Sequence, residues 1–169
     1  MSHPLETVIR NAEPFLLIGD SEQGRFPAQS FHNYAATGTR FYCIDLGGLT
    51  ESRGGTKGRR VYTTVDEVPD DRSDLAVVWV KPRSAKAAVD VAHEAGAKRI
   101  WFSFQTGHRD AVAHARELGM EVVEIGRCPV HYMDTQVPAC RAHTTLLKIS
   151  GSYRKPPQTD PDAKRRELW

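Results

Sequence analysis

Leu75-Ala76-Val77-Val78-Trp79-Val80, followed after a short gap by Arg83 to Ala95, is the stretch whose reading decides the fold. The first piece is an unbroken apolar run rich in β-branched residues, the mark of a strand buried on both faces. In the second, Ala85, Ala88, Val89, Ala92 and Ala95 recur at helical spacing, and Gly96 stands where such a helix stops. A strand covered on both faces and followed at once by an amphipathic helix is half of a crossover unit, and crossover units build parallel sheets.

The same alternation extends in both directions. Phe15 to Ile18, Phe41 to Ile44, Ile100 to Phe104 and Val122 to Ile125 read as further buried strands, and Val61 to Thr63 as a short additional strand near an edge. Asp110 to Leu118 places Ala111, Val112, Ala115 and Leu118 on one helical face, with Asp110 as N-cap and Gly119 as stop. Pro27 suits the first position of a helix running through Phe31 and Tyr34 to Gly38. Thr64-Val65-Asp66-Glu67 has the capping-box pattern, and Pro69 curtails the turn it begins. With right-handed crossovers these pieces form one α/β domain, a doubly wound, Rossmann-like parallel sheet.

The chain of 169 residues suits a single domain. A net charge of only +2 supplies no general field for nucleic acid. No apolar run approaches membrane-spanning length and no export signal opens the chain, so a cytoplasmic location and no membrane partner are expected. Cys43, Cys128 and Cys140 form an odd set, which argues against a disulfide framework. Residues 1–149 are expected to form the folded unit. From Ser150 to Trp169 the composition turns to Pro and charge, which favours an extended, poorly ordered tail that Trp169 could anchor. Lys164-Arg165-Arg166 reads as part of that solvated tail.

In an open parallel sheet, ligands bind beyond the carboxyl ends of the strands. The loops to consider are Gly19 to Arg25, Asp45 to Arg60, Lys81 to Ser84, Ser103 to His108 and Gly126 to Met133. The first is not the glycine fingerprint of dinucleotide binding, yet it offers Gly19, Ser21 and Arg25 before a helix end suited to phosphate. A plain strand-to-helix turn explains it equally well. The second is glycine-rich and basic, and is expected to be mobile.

The order of the pieces Phe15-Leu16-Leu17-Ile18-Gly19-Asp20-Ser21, Gly58-Arg59-Arg60-Val61-Tyr62-Thr63-Thr64-Val65-Asp66-Glu67-Val68-Pro69, Asp74 to Val80, Ala95-Gly96-Ala97-Lys98, Trp101 and Gly126-Arg127-Cys128 resembles the coenzyme A-binding domain family. That family includes stand-alone bacterial proteins and the N-terminal domain of the succinyl-CoA ligase α subunit. The resemblance spans about residues 14–133. It implies that Gly19, Ser21 and Arg25 face the pyrophosphate and that Gly47, Gly48, Arg53 and Lys57 surround the adenosine end. Val80, Lys81, Pro82, Gln105, Thr106 and Gly107 would line the adenine and pantetheine. Coenzyme A carries a ribose phosphate that Arg or Lys would neutralise, which suits the basic second loop.

One departure keeps a rival open. Family members tend to have Asn-Pro after the second strand, where this chain has Asp45-Leu46-Gly47-Gly48. An acidic residue there selects an unphosphorylated ribose in NAD-type folds, although a loop hydrogen bond would also account for it. An NAD or adenine-nucleotide redox sensor is therefore a competing reading.

A second unusual feature is Cys128-Pro129-Val130-His131 followed by Cys140-Arg141-Ala142-His143. Such spacing can place two thiolates and two imidazoles around zinc, giving an enzyme or accessory factor acting on a bound thioester. Cys128 with His131 is a lesser nucleophile candidate. His93, His108 and His114 read as surface residues with no carboxylate partner. The leading expectation is a module that binds coenzyme A or an acyl-CoA and acts as carrier, sensor or accessory, with a homodimer or partner enzyme open to it.

Overall fold

The computed structural model of the chain describes residues 2–24, 28–51 and 60–163. Helix α1 (Pro4–Arg10) precedes strand β1 (Phe15–Gly19), helix α2 (Ala28–Ala35) and strand β2 (Phe41–Asp45). Strand β3 (Leu75–Trp79), helix α3 (Pro82–Glu94), strand β4 (Arg99–Phe102), helix α4 (Arg109–Glu117), strand β5 (Glu121–Ile125) and helix α5 (Pro138–Ile149) follow. All strands are parallel, in the order β2-β1-β3-β4-β5. The doubly wound α/β sheet expected from the alternation is therefore present.

Tyr62 extends this sheet by one position. Its amide donates to Cys43 O at 2.8 Å and its carbonyl accepts from Asp45 N–H at 2.9 Å, a parallel bridge beside β2. Counting it as a strand gives the order of a Rossmann sheet, in which the chain reverses direction across the sheet between β1 and β3.

Each face is closed by its own helices. Leu16, Ile18, Ala76, Val78, Ile100 and Phe102 pack against Ala85, Ala88, Val89 and Ala92 of α3 and Ala111, Val112 and Ala115 of α4. The small alanines let both helices approach the strands closely. On the other face Phe15, Leu17, Val77 and Trp101 meet Leu5 and Ile9 of α1, Phe31 and Tyr34 of α2, and Val130 and Tyr132. Trp101 is wholly buried, and its indole N–H is satisfied by Arg127 O at 2.8 Å.

Two local expectations change. His108, not Asp110, is the N-cap of α4, because the helix begins at Arg109, two residues earlier than a cap at Asp110 implies. The Thr64 hydroxyl makes no cap bond; Glu67 reaches back instead to the Thr63 amide at 3.1 Å, which lowers the Glu67 carboxyl pKa. Pro27 lies outside the described residues. Helix α1 carries no long apolar pattern, yet the His3 ring accepts from Leu5 N–H at 3.1 Å and Pro4 opens the helix.

The part of the C-terminal segment that is described does not hang loose. It leaves α5 through a turn at 152–154 and returns to β5, where Ile125 N–H donates to Gln158 O, with Ser152 and Gln158 buried. Trp169 and Lys164-Arg165-Arg166 lie outside the described residues. None of the described helices is long and apolar enough to cross a membrane.

Candidate functional site

The first loop is held from beneath by the second. Asp45 ends β2 directly beside Gly19, its register partner on β1, and is 1% exposed. Its carboxylate accepts from Ser21 N–H at 2.7 Å, from the Ser21 hydroxyl at 2.5 Å and from Leu49 N–H at 2.8 Å. Asp45 is therefore spent on shaping the two loops, the simpler of its two sequence readings. Gly47 lies against the same turn. A Cβ there would come within 2.4 Å of Ser21 Oγ and 2.9 Å of the Glu22 amide nitrogen. Gly48 has φ +79, a conformation suited to glycine.

A second network joins the first and third loops across the switch point. Asp20, 5% exposed, accepts from the Ser84 hydroxyl at 2.7 Å and from the Gln23 amide. Gln23 also bonds Ser84, and its carbonyl accepts from Lys81 N–H at 3.1 Å. Asp20, Gln23 and Ser84 were not among the expected site residues, because a lone polar residue in a loop carries no periodic signal. They tie the start of α3 to the end of β1 and so fix the two loops relative to each other.

The fourth loop is pinned to the third. Thr106, fully buried, donates to Val80 O at 3.0 Å and accepts from Val80 N–H at 3.2 Å. Gln105 adopts φ 59, and Gly107 touches β5 so closely that a Cβ would lie 2.1 Å from Ile125 Cγ2. Between these loops opens a cleft of about 490 Å³ lined by Pro82, Gln105, Gly107, Ile125 and Gly126 on the sheet side and by Gln158, Pro161 and Ala163 of the C-terminal segment. Among the expected residues, Gly19, Ser21, Asp45, Gly47, Val80, Lys81, Pro82, Gln105, Thr106 and Gly107 thus gather at one rim. Arg25, Arg53 and Lys57 lie outside the described residues. The base of their loop is closed by a bridge between Glu51 and Arg60 and by Val61 N–H on Thr50 O at 2.9 Å.

The zinc expectation is not supported. Among the described residues no three His, Cys, Asp or Glu side chains converge as a ligand set. The His131 ring hydrogen-bonds Thr144 Oγ1 at 2.9 Å and packs edge-on against His143, with ring centroids 4.2 Å apart. Burial, then the neighbouring His143, pushes the His131 pKa down to about 3. Cys128 and Cys140, with Cys43, lie near the buried Tyr34 hydroxyl, whose pKa is raised first by burial and then by Cys128. Burial likewise raises the Cys140 thiol. Cys43 is part of the core beneath α1 and α2, with Cys128 and Cys140 packed against it, and among the described residues no metal centre is assembled. His114 also departs from expectation, pairing with Asp90 at 2.5 Å and Glu117 at 3.7 Å.

The model of the CoA binding domain family matches residues 14–133. None of the curated proteins matches the chain. Among solved structures, Prb, described as the PH1109 protein redesigned for binding, is similar with 24% identity and a TM-score of 0.60 over 76% of this chain and 86% of that one. A hypothetical protein from Pyrococcus horikoshii OT3 is similar with 26% identity and a TM-score of 0.60 over the same shares of each chain. A conserved hypothetical protein from Pyrococcus furiosus, at 21% identity and a TM-score of 0.54, covers 69% of this chain and 97% of that one and shares the fold.

Proposed function

Because this chain belongs to the CoA binding domain family, we propose that it binds coenzyme A, free or acylated, and serves as a carrier, sensor or accessory module for another protein. The observation that carries this reading is the division of the rim into two chemically different halves. At β1 and β2 the loops carry glycines and, in sequence, Arg25, Arg53 and Lys57, the residue types that neutralise a phosphate. At β3 to β5 the cleft is lined by Pro82, Gln105, Gly107, Ile125 and Gly126, none of them charged. A cofactor with a phosphorylated nucleotide at one end and a neutral amide-bearing arm at the other matches that polarity. The lining side chains shape and hydrogen-bond; none is a nucleophile or a general base, which favours binding over catalysis.

Coenzyme A is favoured over NAD by Asp45. Its oxygens are taken by Ser21 and Leu49, so it is not placed to read a ribose. Arg53 and Lys57 are assigned to the ribose phosphate of coenzyme A. Isothermal titration with coenzyme A, dephospho-coenzyme A and NAD tests the reading. Coenzyme A is expected to bind at least about tenfold more tightly than either of the others, the scale of one lost charge-assisted contact. Equal affinity for the dephospho form would remove the assignment of Arg53 and Lys57. No heat with any coenzyme A species would remove the function.

A further inference from the structure

The wall of the cleft contributed by the C-terminal segment lies outside the span that the family accounts for. Ile125 N–H donates to Gln158 O at 2.8 Å, and Gln158 N–H donates to the buried Glu124 carboxylate at 2.9 Å. Arg109 forks onto Asp162 Oδ1 at 2.6 and 3.0 Å, and Arg116 reaches Thr159 O at 2.7 Å. The segment is thereby fastened both to the edge strand and to the first and last turns of α4. It brings Gln158, Pro161 and Ala163 to the cleft beside Pro82, Gln105 and Gly107.

Gln158 has an unspent group. It is 6% exposed, and its Nε2 donates to Asp160 O and Ala163 O, both at 3.3 Å. Those two carbonyls fix which end of the amide is nitrogen. The oxygen at the other end is buried and has no hydrogen-bond partner among the described residues. A buried acceptor left open is unfavourable and is readily completed by a ligand N–H. The side chains that this segment turns to the cleft, Gln158, Pro161 and Ala163, carry no charge and offer little to a phosphate. It suits the secondary amides of a pantetheine arm.

We propose that residues 156–163 are part of the cofactor site and wall the pantetheine arm, with Gln158 as the acceptor for one of its amide N–H groups. This rests on the coenzyme A reading and adds to it a contact made by the chain's own C-terminal segment.

The test compares coenzyme A with 3′,5′-ADP, which keeps the nucleotide end and lacks the arm. Gln158→Ala is expected to weaken coenzyme A about tenfold, the scale of one buried hydrogen bond, while 3′,5′-ADP binds as before. Ala163→Phe, which narrows the cleft, is expected to act in the same direction. If Gln158→Ala fails to fold, NMR of the wild-type protein decides: the Gln158 side-chain amide signals should shift with coenzyme A and stay fixed with 3′,5′-ADP. Unchanged coenzyme A affinity in both variants, or an unmoved Gln158 signal in the saturated wild-type complex, overturns the proposal and leaves the coenzyme A reading standing. Failure of the wild-type protein to bind coenzyme A overturns both.

Discussion

Asp45 holds Ser21 by two hydrogen bonds at once, from its amide at 2.7 Å and from its hydroxyl at 2.5 Å. The loop after β1 therefore has its shape before any ligand arrives. Asp45→Ala leaves the Ser21 and Leu49 amides without their acceptor, and the expected cost is about 3 kcal/mol of stability, since bonds to a charged acceptor are among the stronger ones. Chemical denaturation measures it. A variant as stable as the wild type would show that this carboxylate does not organise the rim.

Gly47→Ala tests the same turn sterically. The added methyl meets Ser21 Oγ at 2.4 Å and the Glu22 amide nitrogen at 2.9 Å, and the latter is backbone that must shift. A loss of about 1–3 kcal/mol is expected from overpacking, together with weaker coenzyme A binding. Thermal melting and titration of the one variant read both effects.

Arg127, 4% exposed, donates to Tyr132 Oη at 2.8 Å, Lys155 O at 3.0 Å and Pro156 O at 3.1 Å, and its Nε lies 3.9 Å from Glu124. Arg127→Met leaves the Glu124 carboxylate buried beside an apolar neighbour, which should cost about 3–5 kcal/mol. The double variant Glu124→Gln, Arg127→Met removes that charge and keeps an acceptor for Gln158 N–H, so part of the loss should return. Hydrogen exchange at the Ile125 amide, bonded to Gln158 O, is expected to quicken in the single variant.

His131 gives the protein a pH dependence of definite sign. Its folded pKa is depressed to about 3 by burial and by His143, below the unfolded value. The unfolded state therefore binds the extra proton first. The stability contributed by neutral His131 is complete above the unfolded histidine pKa and declines as pH falls below it toward the folded pKa. Between pH 7 and pH 5 the decline from this one group should be about 2 kcal/mol. His131→Asn, which keeps a side-chain partner for Thr144, is expected to flatten that part of the profile in melting curves taken across the range.

Sequence made the layered architecture legible because burial on both faces forces long apolar runs such as Leu75 to Val80, and covering helices must show a stripe such as Ala85, Ala88, Val89 and Ala92. Gly47 and Gly107 entered the expected site through the family resemblance, and the close contacts that require glycine there, with Ser21 and with Ile125, come from loops distant in sequence. Asp20, Gln23 and Ser84 act through contacts between distant loops, and no local pattern marks those. The two Cys-x-x-His pairs showed the opposite failure. Their spacing suits a metal, but α5 places Cys140 and Thr144 one helical turn apart, and His131 turns to that threonine. Gln158 was hidden by its setting, since Pro and charge say nothing about a segment that a buried glutamate and arginine hold in place.

Phe15 to Gly19 is the earliest strand in the chain and also a central one, paired on one side with β2 and on the other with β3. Neither of its hydrogen-bonding edges can be filled until much later residues have been made. Assembly of this sheet must thus proceed by closing long loops around an initially unpartnered middle, a topology that folds slowly for its size.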